Sequence, residues 1–444
     1  MSRIALRAGL GVMALLIALV ALVAWRNLRG EDPLDGPAAG RAGTSAGTSP
    51  GISAAAPATD RAAAAGADAA RIERGRYLAL AGNCAGCHLA PDGTPYAGGR
   101  GIDTPFGTVF APNLTPHPER GIGRWTAGEF WRAMHNGRSR DGRLLYPAFP
   151  YPSYSLLTRD DSDALFAWLR TVPPADRWNA THALRFPYGT QAALAVWRAL
   201  YFAPSRFETD PARSEGWNRG RYLVDGLGHC AACHSPRNTL GGVAVEFGGG
   251  LMPDASWYAP SLTRADEAGV AGWPREQIVG LLKHGVSARG TASGPMAEVV
   301  FRSTQHLTDA DLNAIAEFLS ALPQTGRTAQ TARPAWRELL EKGGEIYREH
   351  CAGCHGTRGQ GVAGIYPPLA GNRAVTLASP TNLIQMIRQG GFAPATAGNP
   401  RPFGMPPFYQ VLNDEAIAAV ASYVRQSWGN QAGVVTQIEV SKIR

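Results

Sequence analysis

From Ala8 to Trp25 the chain runs eighteen residues without a charge, nearly all apolar, with Arg3 and Arg7 before it and Arg26 and Arg29 after it. At helical rise such a run is about 27 Å long, enough to cross a hydrocarbon core. The pattern predicts a helical membrane anchor within residues 1–29, with a cleaved secretory signal as the competing reading. Trp25 at the far edge of the run, and the lack of an Ala-x-Ala site directly after it, favour the anchor. Either reading exports the rest of the chain. Residues 30–70 are mostly Ala, Gly, Thr, Ser and Pro with no apolar periodicity. They read as a flexible linker with a reach of roughly 35 Å, which would let the next domain move above the membrane surface.

Past the linker the apolar positions recur at helical spacing between Gly- and Pro-rich turns, and the pattern occurs three times. Arg74-Gly75-Arg76-Tyr77-Leu78, Arg219-Gly220-Arg221-Tyr222-Leu223 and Lys342-Gly343-Gly344-Glu345-Ile346-Tyr347 each read as a short opening helix whose glycine admits a second helix close by. Leu157-Thr158, Leu307-Thr308 and Leu412-Asn413 each place an N-cap before the acidic first-turn residues Asp160, Asp309 and Asp414. Ten positions after each cap stands an aromatic, Trp168, Phe318 and Tyr423. These aromatics read as core, and their shared spacing predicts that each closing helix packs across its opening helix. The fold class is therefore all-α, in three homologous domains at 71–180, 215–325 and 335–430.

The chemistry lies in the cysteines. All six fall into one pattern: Cys84-Ala85-Gly86-Cys87-His88, Cys230-Ala231-Ala232-Cys233-His234 and Cys351-Ala352-Gly353-Cys354-His355. Two thiols three positions apart can add to the two vinyl groups of a haem, and the next histidine is then held where its imidazole can bind iron. A zinc knuckle needs two such pairs close together, and a thioredoxin-like pair needs no trailing histidine. Three covalent haem c groups follow, with His88, His234 and His355 as axial iron ligands. Between motif and closing helix lie Pro112-Asn113-Leu114, Pro260-Ser261-Leu262 and Pro367-Pro368-Leu369. A proline-flanked carbonyl there is expected to take the other N–H of the ligating imidazole.

Methionine is the usual sixth ligand in an electron-transfer haem and raises its potential. Met296, in Gly294-Pro295-Met296, and Met405, in Gly404-Met405-Pro406-Pro407, share one place before the closing helix and are read as the distal ligands of the second and third haems. The first repeat has Phe149 there, in Tyr146-Pro147-Ala148-Phe149-Pro150-Tyr151, and phenylalanine cannot bind iron. Aligning Gly137 with Gly285 and Gly390 sets His135 opposite Lys283 and Arg388, and Met134 opposite Leu282 and Ile387. Met134 reads as core. His135 is the candidate sixth ligand of the first haem, with Met134, or an open or otherwise ligated iron, as the alternatives.

With these motifs assembled, the chain from about Arg71 onward resembles the three-haem cytochrome c subunits of bacterial membrane-bound dehydrogenases. The likeness rests on Gly98-Gly99 with Thr104-Pro105-Phe106-Gly107-Thr108, Asn113-Leu114-Thr115-Pro116, Leu145-Tyr146-Pro147-Ala148 with Pro150-Tyr151-Pro152, Gly226-Leu227-Gly228-His229 and Trp428-Gly429-Asn430. The resemblance implies three tandem cytochrome c-like domains and an electron-transfer subunit, not an enzyme by itself. It would take electrons from a catalytic dehydrogenase partner holding molybdenum, flavin or a quinone cofactor, and pass them to ubiquinone or a terminal oxidase on the periplasmic side of the inner membrane. The Ala148-Phe149-Pro150 departure is more similar to the branch paired with molybdenum-containing hydroxylases that oxidise aldehydes or N-heterocycles.

Other classes fare worse. The net charge of +8 is spread along the chain without a basic run or an aromatic-basic platform, so nucleic acid is not an expected partner. The propionates of three haems, roughly six carboxylates ionised at neutral pH, would offset most of that charge. A peroxidase-like enzyme would need an open haem with polar catalytic groups, which only the first repeat could offer. A haem-based sensor would need an output module, and no segment is left to be one.

Overall fold

The computed structural model describes residues 3–31, 58–253, 256–326 and 333–443. Helices dominate and the strands are only two to four residues long. The chain divides into two compact units. One runs to Phe207, and the other starts at Glu208 and also takes Leu80–Gly86 and Asp103–Pro105.

In the first unit the N-terminal helix is Arg3–Leu28, and the opening helix of the first repeat is Ala58–Ala81. The opening helix is long, not short, and its start corrects the linker expected at 30–70. Residues 32–57 lie outside the described residues, but 58–70 is helical, in keeping with its many alanines, the residue of highest helix propensity. The end of the N-terminal helix is also docked. Asn27 is buried and donates to the Ala195 carbonyl at 2.9 Å, and Glu31 pairs with Arg138 at 2.5 Å. The linker therefore does not hold this unit away from the anchor. Nor does the first domain end at 180, since Leu184 and Ala183 pair antiparallel with Gly107 and Thr108. The helix Gln191–Tyr201 comes next.

The crossing of opening and closing helices occurs in all three repeats. The closing helices are Arg159–Leu169, Asp309–Ser320 and Asp414–Gln426, capped by Thr158, Thr308 and Asn413, whose side chains accept from Asp161, Asp311 and Ala416 N–H. A Cβ on Gly75 would overlap the Ala164 carbonyl and press on Trp168 Cβ; Gly220 meets Ala314 and Phe318, and Gly343 meets Ala419 and Tyr423, in the same way. The aromatic ten positions after each cap therefore stands beside the opening-helix glycine. An ion pair spans each of these crossings: Arg74 meets the buried Asp161 at 2.5 Å in the first and Arg219 meets Asp311 at 2.8 Å in the second. In the third, Lys342 reaches Glu415 at 2.7 Å.

Gly220→Ala should consequently destabilise the protein by about 2 kcal/mol in chemical denaturation, because the overlapped atom is backbone and cannot swing away. Gly66→Ala is the control. It lies within the Ala58–Ala81 helix with nothing within 4 Å of its Cβ position, and should stabilise by about 0.5–1 kcal/mol. Equal effects at the two sites would refute the crossing geometry.

Repeats two and three share the second unit through contacts aimed at backbone. Asn382 accepts from Tyr258 N–H at 2.8 Å and donates to the Tyr258 carbonyl at 2.7 Å. Gln385 donates to Ser256 at 2.9 Å and Arg373 to Gly269 at 3.0 Å.

Candidate haem sites

Each Cys-x-x-Cys-His motif lies on a single helical turn directly after its opening helix: Cys84–His88, Ala231–His234 and Ala352–His355. The approach differs by one residue between the first two repeats. From Gly220 to Cys230 is one step longer than from Gly75 to Cys84, and the extra residue is absorbed as a π-helical turn over Tyr222–Leu227.

The three histidines are held alike. His88 Nδ1 donates to the Pro112 carbonyl at 2.8 Å, His234 Nδ1 to Pro260 at 2.7 Å and His355 Nδ1 to Pro367 at 3.0 Å. A carbonyl can only accept, so Nδ1 carries the proton and Nε2 keeps its lone pair for a metal. Burial lowers the pKa of all three imidazoles, with the carbonyl bond opposing it, and so favours the neutral ring that iron ligation requires. In each motif the first thiol is half-buried and the second exposed, and none is in a disulfide.

The carbonyls are positioned in turn. Gly98, Gly249 and Gly361 adopt positive φ, and their N–H groups donate to the His88, His234 and His355 carbonyls at 2.9, 2.8 and 2.8 Å. A Cβ on Gly98 or Gly361 would strike Pro112 or Pro367, so glycine lets each turn approach its histidine. Asn430 then clamps the third turn, donating to Leu369 at 3.0 Å and accepting from Gly371 N–H at 2.9 Å. Asn113 plays the same part in the first, donating to Ala175 at 2.9 Å and accepting from Thr115 N–H at 2.9 Å.

Met296 sits at the start of the helix Pro295–Arg302, and Met405 lies in a short strand with Gly404, paired with Gly391–Phe392. Both side chains are half-buried. Phe149 is half-buried too, and its ring meets Tyr154 at 5.4 Å.

A cytochrome c family model matches residues 72–173 and 340–428. The chain is 38% identical over 399 residues to the cytochrome c subunit of a quinone-dependent alcohol dehydrogenase from Gluconacetobacter polyoxogenes, covering 85% of each. It is 36% identical to the gluconate 2-dehydrogenase cytochrome c subunit of Pantoea cypripedii, over 85% of this chain and 90% of that one. A nicotinate dehydrogenase subunit from Pseudomonas putida is 38% identical over 84% of this chain, which spans 32% of that longer protein. The chain is a dehydrogenase cytochrome c subunit.

The cytochrome accordingly transfers electrons for an oxidoreductase complex and is not the catalytic subunit. Haem c is its cofactor, and the donor set fits: paired thiols out of disulfides, next to an imidazole whose Nε2 is available. Among the described residues no cluster of three or more His, Cys, Asp or Glu gathers into a metal site.

In the first repeat, His135 is buried at the end of the helix Ala127–Asn136, its ring stacked on Trp131 at 4.4 Å and 17°. The residues in its register elsewhere, Lys283 and Arg388, reach the first-turn acids Asp309 and Asp414 of their closing helices. The polarity shared at this position thus has a second origin, an ion pair with the first-turn acid of the closing helix. Met134 is buried in the core, as its register with Leu282 and Ile387 predicts.

The gripping glycines were missed as positioning residues. They stand at three different distances beyond the histidine, so aligning the repeats does not reveal them.

Proposed function

We propose that this cytochrome carries three haem c groups, attached through Cys84 and Cys87, Cys230 and Cys233, and Cys351 and Cys354. It takes electrons from a catalytic dehydrogenase subunit and passes them to ubiquinone or a terminal oxidase, on the periplasmic side of a membrane entered by its N-terminal helix. The observation that carries this reading is the threefold recurrence of the bracket between a motif histidine and a proline carbonyl, in the second repeat as in the two that the family model matches. His88, His234 and His355 would be the proximal ligands, Met296 and Met405 the distal ligands of the second and third haems, and His135 the distal ligand of the first.

Each haem supplies reversible one-electron exchange at its iron. The polypeptide sets the terms, since the proline carbonyls fix the imidazole tautomer and orientation. Burial pushes the Cys230 thiol up to about 12 and the Cys351 thiol up to about 11.

Intact-mass measurement of protein matured with its haem-attachment machinery should give the polypeptide plus three haems, and two or fewer at full occupancy would refute the count. Phe149 and the nicotinate dehydrogenase relative direct the partner toward the molybdenum-containing class. Molybdenum in the co-purified complex is the expected result. A flavin or quinone-cofactor subunit in its place would overturn that assignment while leaving the haem count intact.

A further inference from the structure

The helix Gln191–Tyr201 buries Leu194, Arg198 and Ala199, yet its outward stripe, at four-residue spacing, is Ala192, Val196 and Leu200. Val196 is 49% and Leu200 60% exposed. The helix contains one charged residue, Arg198, and that residue points inward. A helix facing water normally carries charges on its outer side. This one is apolar outside as well.

Its place in the first unit says what covers it. Arg26 donates to the Ala199 carbonyl at 2.8 Å, and Asn27 to Ala195 at 2.9 Å. Arg198 donates back to Asn27 Oδ1 at 2.9 Å and to the Asn136 carbonyl at 2.6 Å. The helix is thus bolted to the last turn of the apolar span Leu10–Leu28, beside Trp25, over whose ring Arg29 sits at 5.5 Å. Tryptophan with arginine at the end of an apolar span marks the depth of the lipid headgroups. The backbone around Ala195 and Ala199 is within hydrogen-bond reach of that turn, so Val196 and Leu200 lie at the same depth.

We propose that Gln191–Tyr201 is a second membrane contact, an in-plane helix whose Val196 and Leu200 enter the headgroup–acyl boundary of the leaflet that the N-terminal helix leaves. The proposal rests on that N-terminal helix being retained as an anchor. It adds that the first domain is held against the bilayer and not tethered above it. The buried Arg198, which depends on Asn27 for one of its acceptors, couples the two contacts.

The test uses the full-length, haem-loaded protein in phosphatidylcholine vesicles doped with a diazirine-bearing phosphatidylcholine, with adducts located by mass spectrometry after photolysis. Adducts are expected in residues 8–25 and also in 191–201. In the Val196→Glu, Leu200→Glu double variant, the 191–201 adducts should fall more than tenfold while haem absorbance and the 8–25 adducts stay unchanged. Adducts in 8–25 alone would overturn this proposal and leave the anchor standing. Absence from both segments would overturn the anchor as well. Lipid adducts unaffected by the two glutamates would also overturn it, as would protection of 191–201 only on adding a catalytic dehydrogenase subunit, since the face would then belong to protein.

Discussion

Replacing Met405 with leucine should lower the potential of one haem by more than about 100 mV, the scale on which axial ligands set haem potentials, and open that haem to carbon monoxide. A thioether stabilises ferrous iron, so its loss favours the ferric state. Leucine nearly conserves side-chain volume and the half-buried environment, so the Gly404–Met405 pairing with Gly391–Phe392 should survive. Met296→Leu should do the same to a different haem, and the double variant should show both changes together. Redox titration followed by carbon monoxide difference spectra distinguishes these outcomes. Unchanged potentials and no carbon monoxide band in either variant would remove both residues from the ligand set. The first haem responds to neither change if Phe149 stands at its distal position. His135→Ala should instead alter its low-spin electron paramagnetic resonance signal in the oxidised protein, and an unchanged signal would exclude His135.

The second large effect concerns pH. Asp225 lies in the π-turn, largely buried, with Arg221 at 3.7 Å from one carboxylate oxygen and no hydrogen-bond partner on the other among the described residues. Burial, reinforced by Glu246 and opposed by Arg221, pushes its carboxyl up to about 7. The folded state therefore holds this proton more tightly than the unfolded chain. The stabilisation is complete below the ordinary carboxylate pKa and is lost as pH rises through about 7. A rise from 3.8 to about 7 corresponds to at most about 4 kcal/mol. Asp225→Asn, neutral at every pH, should lack this loss. Urea denaturation at pH 5.5 and 8.5 should show the wild type weakening relative to the variant at the higher pH, and parallel behaviour would mean that Asp225 is ionised in the folded protein.

The π-turn shows how far the sequence reaches. The extra residue between Gly220 and Cys230 is visible by counting, and an insertion into a helix can be absorbed as a π-turn or as a loop. Which of these occurs, and that it leaves Asp225 short of partners, depends on what packs around it. Likewise, His135 could be placed in register with Lys283 and Arg388 from the repeats alone. That those two side chains pair with the first-turn acids Asp309 and Asp414 required their partners in space.

By itself the sequence determined the all-α class, the three repeats, the cysteine–histidine motifs and the glycine-to-aromatic crossing of opening and closing helices. These rest on local rules, namely helical periodicity, caps and the fixed reach between two thiols and a neighbouring imidazole, and each was stated three times in one chain. Tertiary structure alone decided which glycines grip the motif histidines, how repeats two and three join through Asn382 and Tyr258, and that the end of the N-terminal helix docks on Gln191–Tyr201. Those contacts link residues more than a hundred positions apart or address backbone carbonyls, which every residue type carries, so no side-chain pattern along the chain announces them.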